Sequence, residues 1–166
     1  SEEVIVGVKI LANPVTCEGQ KLQLNSQKSN SYEWNGPGGF TSNLQNPSIN
    51  KLSLVNQGMY FLKATDEKNC TYKDSISIKT NPAPVFTVEV PTIICEGKTL
   101  SITARTLNNS SVYYSFTSPD NERSNANDIT WIRNNATPKM AGVYTITATD
   151  FATKCTSTST TQININ

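Results

Sequence analysis

Gly58-Met59-Tyr60-Phe61-Leu62-Lys63-Ala64-Thr65-Asp66 recurs later in the chain as Gly142-Val143-Tyr144-Thr145-Ile146-Thr147-Ala148-Thr149-Asp150. In both, tyrosine, an aliphatic residue and alanine fall at every second position, the period of a strand with one buried face. Each phrase is followed shortly by a cysteine, Cys70 or Cys155. Upstream, Cys17-Glu18-Gly19-Gln20-Lys21-Leu22-Gln23-Leu24 repeats as Cys95-Glu96-Gly97-Lys98-Thr99-Leu100-Ser101-Ile102. Between these landmarks lie Tyr32-x-Trp34 and Tyr114-x-Phe116. The chain is therefore one module written twice. The offset between copies is 78 residues at the first landmark and 84 at the last. The second copy thus carries an insertion, expected at Asn134-Asn135-Ala136-Thr137-Pro138. The boundary falls at the proline pair of Asn81-Pro82-Ala83-Pro84, giving domains 1–82 and 83–166. Two prolines in four residues favour an end-to-end arrangement.

Period-two runs fill both copies. In the first they are Val4/Val6/Val8/Ile10, Leu22/Leu24, Tyr32/Trp34, Leu52/Leu54, Tyr60/Leu62/Ala64 and Ile76/Ile78. In the second they are Val85/Val88/Val90, Leu100/Ile102/Ala104, Val112/Tyr114/Phe116, Ile129/Trp131, Tyr144/Ile146/Ala148 and Ile163/Ile165. Turn residues such as Asn35-Gly36-Pro37-Gly38-Gly39 and Asn56-Gln57-Gly58 separate them. Short strands at this density predict an all-β fold, two tandem immunoglobulin-like β-sandwich domains. In such sandwiches a tyrosine before the sixth strand folds its hydroxyl back on the preceding corner, and a core residue follows two positions later. Here the pairs are Tyr60 with Leu62 and Tyr144 with Ile146. The predicted core is Leu24, Trp34, Tyr60 and Leu62, and Ile102, Phe116, Tyr144 and Ile146. Where antibody domains place a core disulfide, Leu24/Leu62 and Ile102/Ile146 are aliphatic, so the cysteines serve elsewhere.

Composition removes whole classes of function. Lysine plus arginine total 14 against 13 acidic residues, so the net charge of +1 offers no broad footprint for nucleic acid or anionic membrane. Histidine is absent, which excludes Ser-His-Asp and Cys-His nucleophiles and histidine-ligated zinc. No run approaches the roughly 18–20 apolar residues of a membrane span, and Ser1-Glu2-Glu3 is not a signal peptide, so the chain reads as a mature fragment. With 19 Asn, 17 Ser and 21 Thr, the chain suits half-exposed strands and turns. Acidic pairs for acid–base chemistry, Asp66/Glu67 and Asp120/Glu122, fall in turns, where carboxylates are ordinary. The chain reads as no enzyme and needs no cofactor.

Cys-Glu-Gly, then Tyr-x-Trp-x-Gly-Pro-x-Gly-Phe-x-Ser, Asn-Pro-x-Ile, Gly-x-Tyr and Thr-Asp…Cys resembles the immunoglobulin-like/PKD-like repeats of Bacteroidetes surface proteins. The stretch is Tyr32 to Ile49, flanked by Cys17 and Cys70, and covers the first copy. The second copy has Ser118-Pro119-Asp120-Asn121-Glu122 in place of Gly-Pro-x-Gly-Phe, so its membership rests on its ends. The resemblance implies large repetitive proteins exported by the type IX system to the cell surface, outer-membrane-attached, gliding-motility adhesins among them. It also implies O-glycosylation at Ser75, within Asp74-Ser75-Ile76.

Other candidate sites follow from the residues. Trp131 with Arg133 offers a stacking surface for a sugar or a protein contact, the alternative being a core tryptophan. Phe40, after a glycine-rich turn, reads either as an exposed tip or as a plug over the sandwich end. Asp66 and Asp150, with Glu67 or Asp74, are weak calcium candidates at the domain junction. Asn69, Asn108, Asn109 and Asn135 begin Asn-x-Ser/Thr triplets without expected consequence. The cysteines, with no Cys-x-x-Cys pair, read as disulfide partners in an oxidising compartment. Strand geometry separates Cys17 from Cys70 by about 20 Å, against a limit near 7 Å for bridged Cα atoms. It favours an inter-domain staple Cys17–Cys155 over the intradomain pairs Cys17–Cys70 and Cys95–Cys155. The expected function is a stalk or adhesin segment whose partners are neighbouring repeats, surface polysaccharide or a host substratum. The alternative is a carbohydrate-binding accessory module of a secreted polysaccharide-degrading enzyme.

Overall fold

The computed structural model describes residues 7–107, 111–124 and 129–166. Its contacts divide the chain into two compact units, Ser1–Pro82 and Ala83–Asn166. The first contains β1 (Ile10–Leu11), β2 (Val15–Cys17), β3 (Leu22–Gln23), β4 (Asn25–Ser26), β5 (Ser31–Gly36), β6 (Phe40–Ser42), β7 (Ser48–Ile49), β8 (Gly58–Thr65) and β9 (Thr71–Asn81). β1 pairs with β4, and β3 with β7, all antiparallel, forming one layer. The other layer is the five-stranded sheet β2-β9-β8-β5-β6. β2 runs parallel to β9. The chain therefore changes layers between β1 and β2, at Pro14, which has no N–H with which to continue the first ladder. This split first strand and the sheet order are those of an immunoglobulin-type sandwich.

The second unit repeats the plan with β10 (Phe86–Glu89), β11 (Ile93–Ile94), β12 (Leu100–Thr106), β13 (Val112–Thr117), β14 (Thr130–Arg133), β15 (Gly142–Asp150) and β16 (Thr156–Ile165). One sheet is β10-β12-β14, the other β11-β16-β15-β13. β11 is parallel to β16, and Pro91 sits at this unit's layer switch. Each unit has its own core. Leu22, Leu24, Trp34, Leu52, Tyr60, Leu62 and Ile78 are buried in the first. Leu100, Ile102, Tyr114, Phe116, Tyr144, Ile146 and Ile163 are buried in the second. On β8 and β15 the buried residues alternate with Phe61 and Val143, each more than half exposed, as a strand with one wet face requires.

Three expectations need correction. Leu52 and Leu54 do not share a strand: Leu52 is buried, but Leu54 opens a 3-10 turn, Leu54–Asn56, and is exposed. Asn56 causes this, because its side chain accepts from the Ser53 N–H at 3.0 Å and competes with any ladder. Next, Asn134–Pro138 is not an insertion. Gly97 N–H donates to Ala136 O, and Ala136 N–H to Lys98 O, just as Gly19 donates to Leu52 O and Leu52 to Gln20 O. The extra residues fall instead between β12 and β13 and between β13 and β14. Finally, Ile129 and Val85 are more than half exposed rather than inward members of their runs. Val4, Val6, Asn108 and Asn109 lie outside the described residues.

Candidate functional site

Both units fold a tyrosine back on the corner before its strand. Tyr60 Oη donates to Asn56 O at 2.8 Å, and Tyr144 Oη donates to Met140 O at 2.8 Å. Burial pushes both phenols up from their ordinary pKa, so both hydroxyls remain donors. Each corner ends at a glycine with φ of +135° or +140°, Gly58 or Gly142, the first residue of the strand. A Cβ there would lie 2.9 Å from Pro37 or 2.8 Å from Pro119, so space and backbone both demand glycine.

What covers the tyrosine differs between the units. Phe40 is half-buried, packs on the first unit's core and meets Tyr60 edge-on, with centroids 5.4 Å apart. In the second unit, Trp131 is half-buried and meets Phe116 at 5.9 Å and Tyr144 at 6.0 Å. Arg133, only 8% exposed, stacks its guanidinium 5.3 Å from the Trp131 centroid. Arg133 Nη2 reaches Asp120 Oδ2 and Glu122 Oε2, both at 2.7 Å. Its Nη1 donates to Asp120 Oδ1 at 3.0 Å and to Tyr144 Oη at 3.2 Å. The Arg133 hydrogen bonds hold the Asp120 carboxyl down at about 2, and Ser118 Oγ–H adds another donor. Burial opposes the charge on Arg133, but its bonds to Asp120 and Tyr144 outweigh that and raise its pKa.

A cleft of about 500 Å³ opens beside this network, lined by Trp131, Arg133, Asp120, Glu122, Asn134 and Lys139 among others. The proposed pair Trp131 and Arg133 therefore does lie together. Arg133, however, is engaged inside its own unit rather than directed at solvent. Sequence reasoning missed its partners Asp120 and Glu122 in this role. The equivalence shows only in the structure: register sets Arg133 opposite Leu100 as Ile49 is opposite Leu22, so the cation and its anions appear together where the first copy has none.

Asp66 and Asp150 also have structural employment. Asp66 Oδ1 accepts from the Lys68 and Cys70 N–H groups, both at 2.8 Å, and Oδ2 accepts from Tyr72 Oη at 3.3 Å. Asp150 Oδ1 accepts from the N–H groups of Ala152 at 3.0 Å and Thr153 at 2.7 Å. Those bonds hold the Asp150 carboxyl below its ordinary range, with the Thr153 N–H the main cause. Among the described residues no group of three acidic or cysteine side chains could hold a metal. Asp74 Oδ2 accepts from Ile10 N–H at 2.7 Å, tying β1 to β9, while Ser75 is exposed on β9 opposite Phe61.

Cys17 and Cys155 are disulfide-bonded, whereas Cys70 and Cys95 are exposed free thiols. The intradomain pairs Cys17–Cys70 and Cys95–Cys155 are therefore absent. The reason is strand length. Cys17 is in register with Asn81, the last residue of β9, while Cys70 precedes its first. Eleven residues at about 3.3 Å each give about 36 Å, well beyond the earlier 20 Å expectation. Cys95 and Cys155 flank β16 in the same way. Among the described residues no helix is long and apolar enough to cross a membrane.

No family model matches the chain, and no curated protein matches its sequence. Many solved structures are similar at low identity, among them the following three. The three N-terminal domains of the bacteriophage RB49 highly immunogenic outer capsid protein share 14% identity, with a TM-score of 0.47, over 96% of this chain. This chain spans 59% of that one. An amphioxus IgVJ-C2 molecule matches at 15% identity and TM-score 0.43, over 90% of this chain and 99% of that one. Murine CEACAM1b matches at 12% identity and TM-score 0.42, over 96% of this chain and 100% of its own.

Proposed function

We propose that the chain is a non-catalytic stalk or adhesin segment of a repetitive extracellular protein, spacing and presenting a distal binding region. One observation carries this reading. The charged and aromatic groups that sequence offered for chemistry hold turns and corners within their own unit: Asp66 and Asp150 tie turns, Asp74 ties a strand, and Arg133, Asp120 and Glu122 brace Tyr144. A disulfide suits an oxidising compartment outside the cytosol. The resemblance to Bacteroidetes repeats adds a type IX-secreted, outer-membrane-attached parent, gliding-motility adhesins included, with O-glycan on Ser75. Its partners would be neighbouring repeats, and a polysaccharide or host substratum at the distal end. In this reading Cys17 and Cys155 form one staple. Pulling on the two termini tests it: the oxidised chain should extend only by the residues before Cys17 and after Cys155. Release of the full contour length before reduction overturns the stapled stalk.

The second reading, a carbohydrate-binding accessory module, is favoured by the polar cleft at half-buried Trp131. Glycan-array binding that disappears in Trp131→Ala would establish it. Absence of binding to every glycan would leave the stalk.

A further inference from the structure

The four cysteines occupy two backbone frames, each used once in either unit. In the first frame, Gln20 N–H donates to Cys17 O at 3.1 Å and Glu18 N–H to Asn81 O at 2.8 Å. Lys98 N–H to Cys95 O at 3.2 Å and Glu96 N–H to Asn166 O at 2.8 Å reproduce it. In the second frame, Asp66 N–H donates to Cys70 O at 3.0 Å, and Asp150 N–H to Cys155 O at 2.8 Å. Every unit thus carries one cysteine at each pole, at opposite ends of β9 or β16. In each frame one cysteine is disulfide-bonded and its counterpart is an exposed thiol: Cys17 against Cys95, Cys155 against Cys70.

We propose that Cys70 and Cys95 are the two halves of a further staple, each pairing with the opposite-pole cysteine of another copy of this module. The inference rests on the stapled-segment reading above and extends it. In the stapled reading the Cys17–Cys155 bridge joins one cysteine of each frame, and Cys70 and Cys95 are again one of each. Within a unit no partner is in reach, since about 36 Å separates its two poles. Like-with-like pairing, Cys70 to Cys70 or Cys95 to Cys95, would join identical poles and reverse the direction of the array at every bridge, which a run of repeats along one chain cannot do. Unlike pairing joins opposite poles, a head-to-tail contact that keeps one direction along the array and can add copy after copy. Each bridge forms by thiolate exchange with a small-molecule disulfide such as glutathione disulfide. One S–S bond forms, the oxidant's S–S bond is reduced, and two glutathione thiols leave with the two protons.

The test uses the 166-residue chain in two variants, Cys70→Ser and Cys95→Ser, incubated with glutathione disulfide at high protein concentration. Each variant alone should remain monomeric, and an equal mixture should give a dimer, at least tenfold more than either alone. Its cross-linked peptide should join Cys95 of one variant to Cys70 of the other. The wild-type chain should give a ladder of oligomers. Homodimers in either variant alone, no excess of dimer in the mixture, or an intrachain Cys70–Cys95 bridge in the wild type would overturn the proposal. The same digest reads the Cys17–Cys155 peptide. If that peptide is present and the mixed dimer absent, this inference fails while the segment reading survives. If it is absent, the staple reading itself fails.

Discussion

Tyr60 and Tyr144 make the same bond to the same corner, yet the two units cover them with different chemistry. Around Tyr60 the neighbours are carbon: the Phe40 ring edge-on, and Ile49 packed on the same core. Around Tyr144 the position of Ile49 is taken by Arg133, and Asp120 and Glu122 come from the turn that supplies Phe40 in the first unit. The large aromatic moves as well. Trp34 on β5 donates its indole N–H to Leu44 O at 2.9 Å, and the second unit has Phe116 there, with Trp131 on β14 filling in beside it. Backbone and volume are preserved while side-chain chemistry is exchanged, as interiors tolerate when patterning is kept. The difference also separates a cover indifferent to pH from one that depends on ionised carboxylates.

The largest expected effect concerns space. Gly36 is extended, with φ of −163°, so no backbone strain requires glycine there. A Cβ, however, would lie 2.5 Å from Tyr60 Cδ1 and 2.6 Å from Cε1, and the ring is fully buried. The equivalent residue in the second unit is Ser118, whose hydroxyl serves Asp120. Gly36→Ser should therefore destabilise the first unit by about 1–3 kcal/mol, the usual cost of overpacking. The reverse change, Ser118→Gly, loses only a hydrogen bond and backbone rigidity, on the order of 1 kcal/mol. Urea unfolding of the two variants measures both. Equal costs would mean that the corners are covered alike.

The next effect concerns acid. The Asp120 pKa is lowered from 3.8 to about 2 in the folded unit, mainly by hydrogen bonds from Arg133. A depressed carboxylate contributes stability that is fully present above the unfolded value. That stability is lost as pH falls from there through about 2. The shift corresponds to about 2 kcal/mol, an upper figure because Asp120 is 29% exposed. Asp120→Asn should be less stable than the parent at pH 7, and the gap should close as pH approaches 2. A gap that stays constant across this range would show that the carboxylate charge contributes nothing. The first unit should show no matching acid loss at its Phe40 cover.

What sequence revealed and what it concealed divide along the same line. The strands, the tyrosine corners and the core pairs Leu24/Leu62 and Ile102/Ile146 are local or periodic, and a repeat exposes them twice. The Arg133 network joins a strand to a turn 13 residues earlier, and only pairing register aligns it with Ile49. Asn134-Asn135 looked like inserted loop because asparagine favours turns. Its neighbour Ala136 in fact makes the same two backbone bonds as Leu52. The Leu54 reading failed for a related reason: the Ser53–Asn56 cap overrides a two-residue alternation. Cysteine pairing was the opposite case. Strand geometry alone puts the poles of a unit about 20 Å apart, less than the length of β9 gives but enough to reject Cys17–Cys70.

The smallest effect sharpens the comparison most directly, because it changes one atom at the same place in both units. Tyr60→Phe removes one hydrogen bond, from Oη to Asn56 O, and should cost about 1 kcal/mol. Tyr144→Phe removes the matching bond to Met140 O and also the acceptor for Arg133 Nη1 at 3.2 Å. Arg133 is 8% exposed, so the released N–H group has little access to water. Bonds to charged groups are worth more than neutral ones, about 1.5–3 kcal/mol, but Asp120 and Glu122 still hold this guanidinium. The second substitution should therefore exceed the first by about 0.5–1 kcal/mol. Pairing it with Arg133→Met in a double-mutant cycle isolates the Tyr144–Arg133 coupling. If Tyr60→Phe and Tyr144→Phe cost the same and the cycle shows no coupling, Arg133 braces the turn that carries Asp120 and Glu122 rather than the tyrosine.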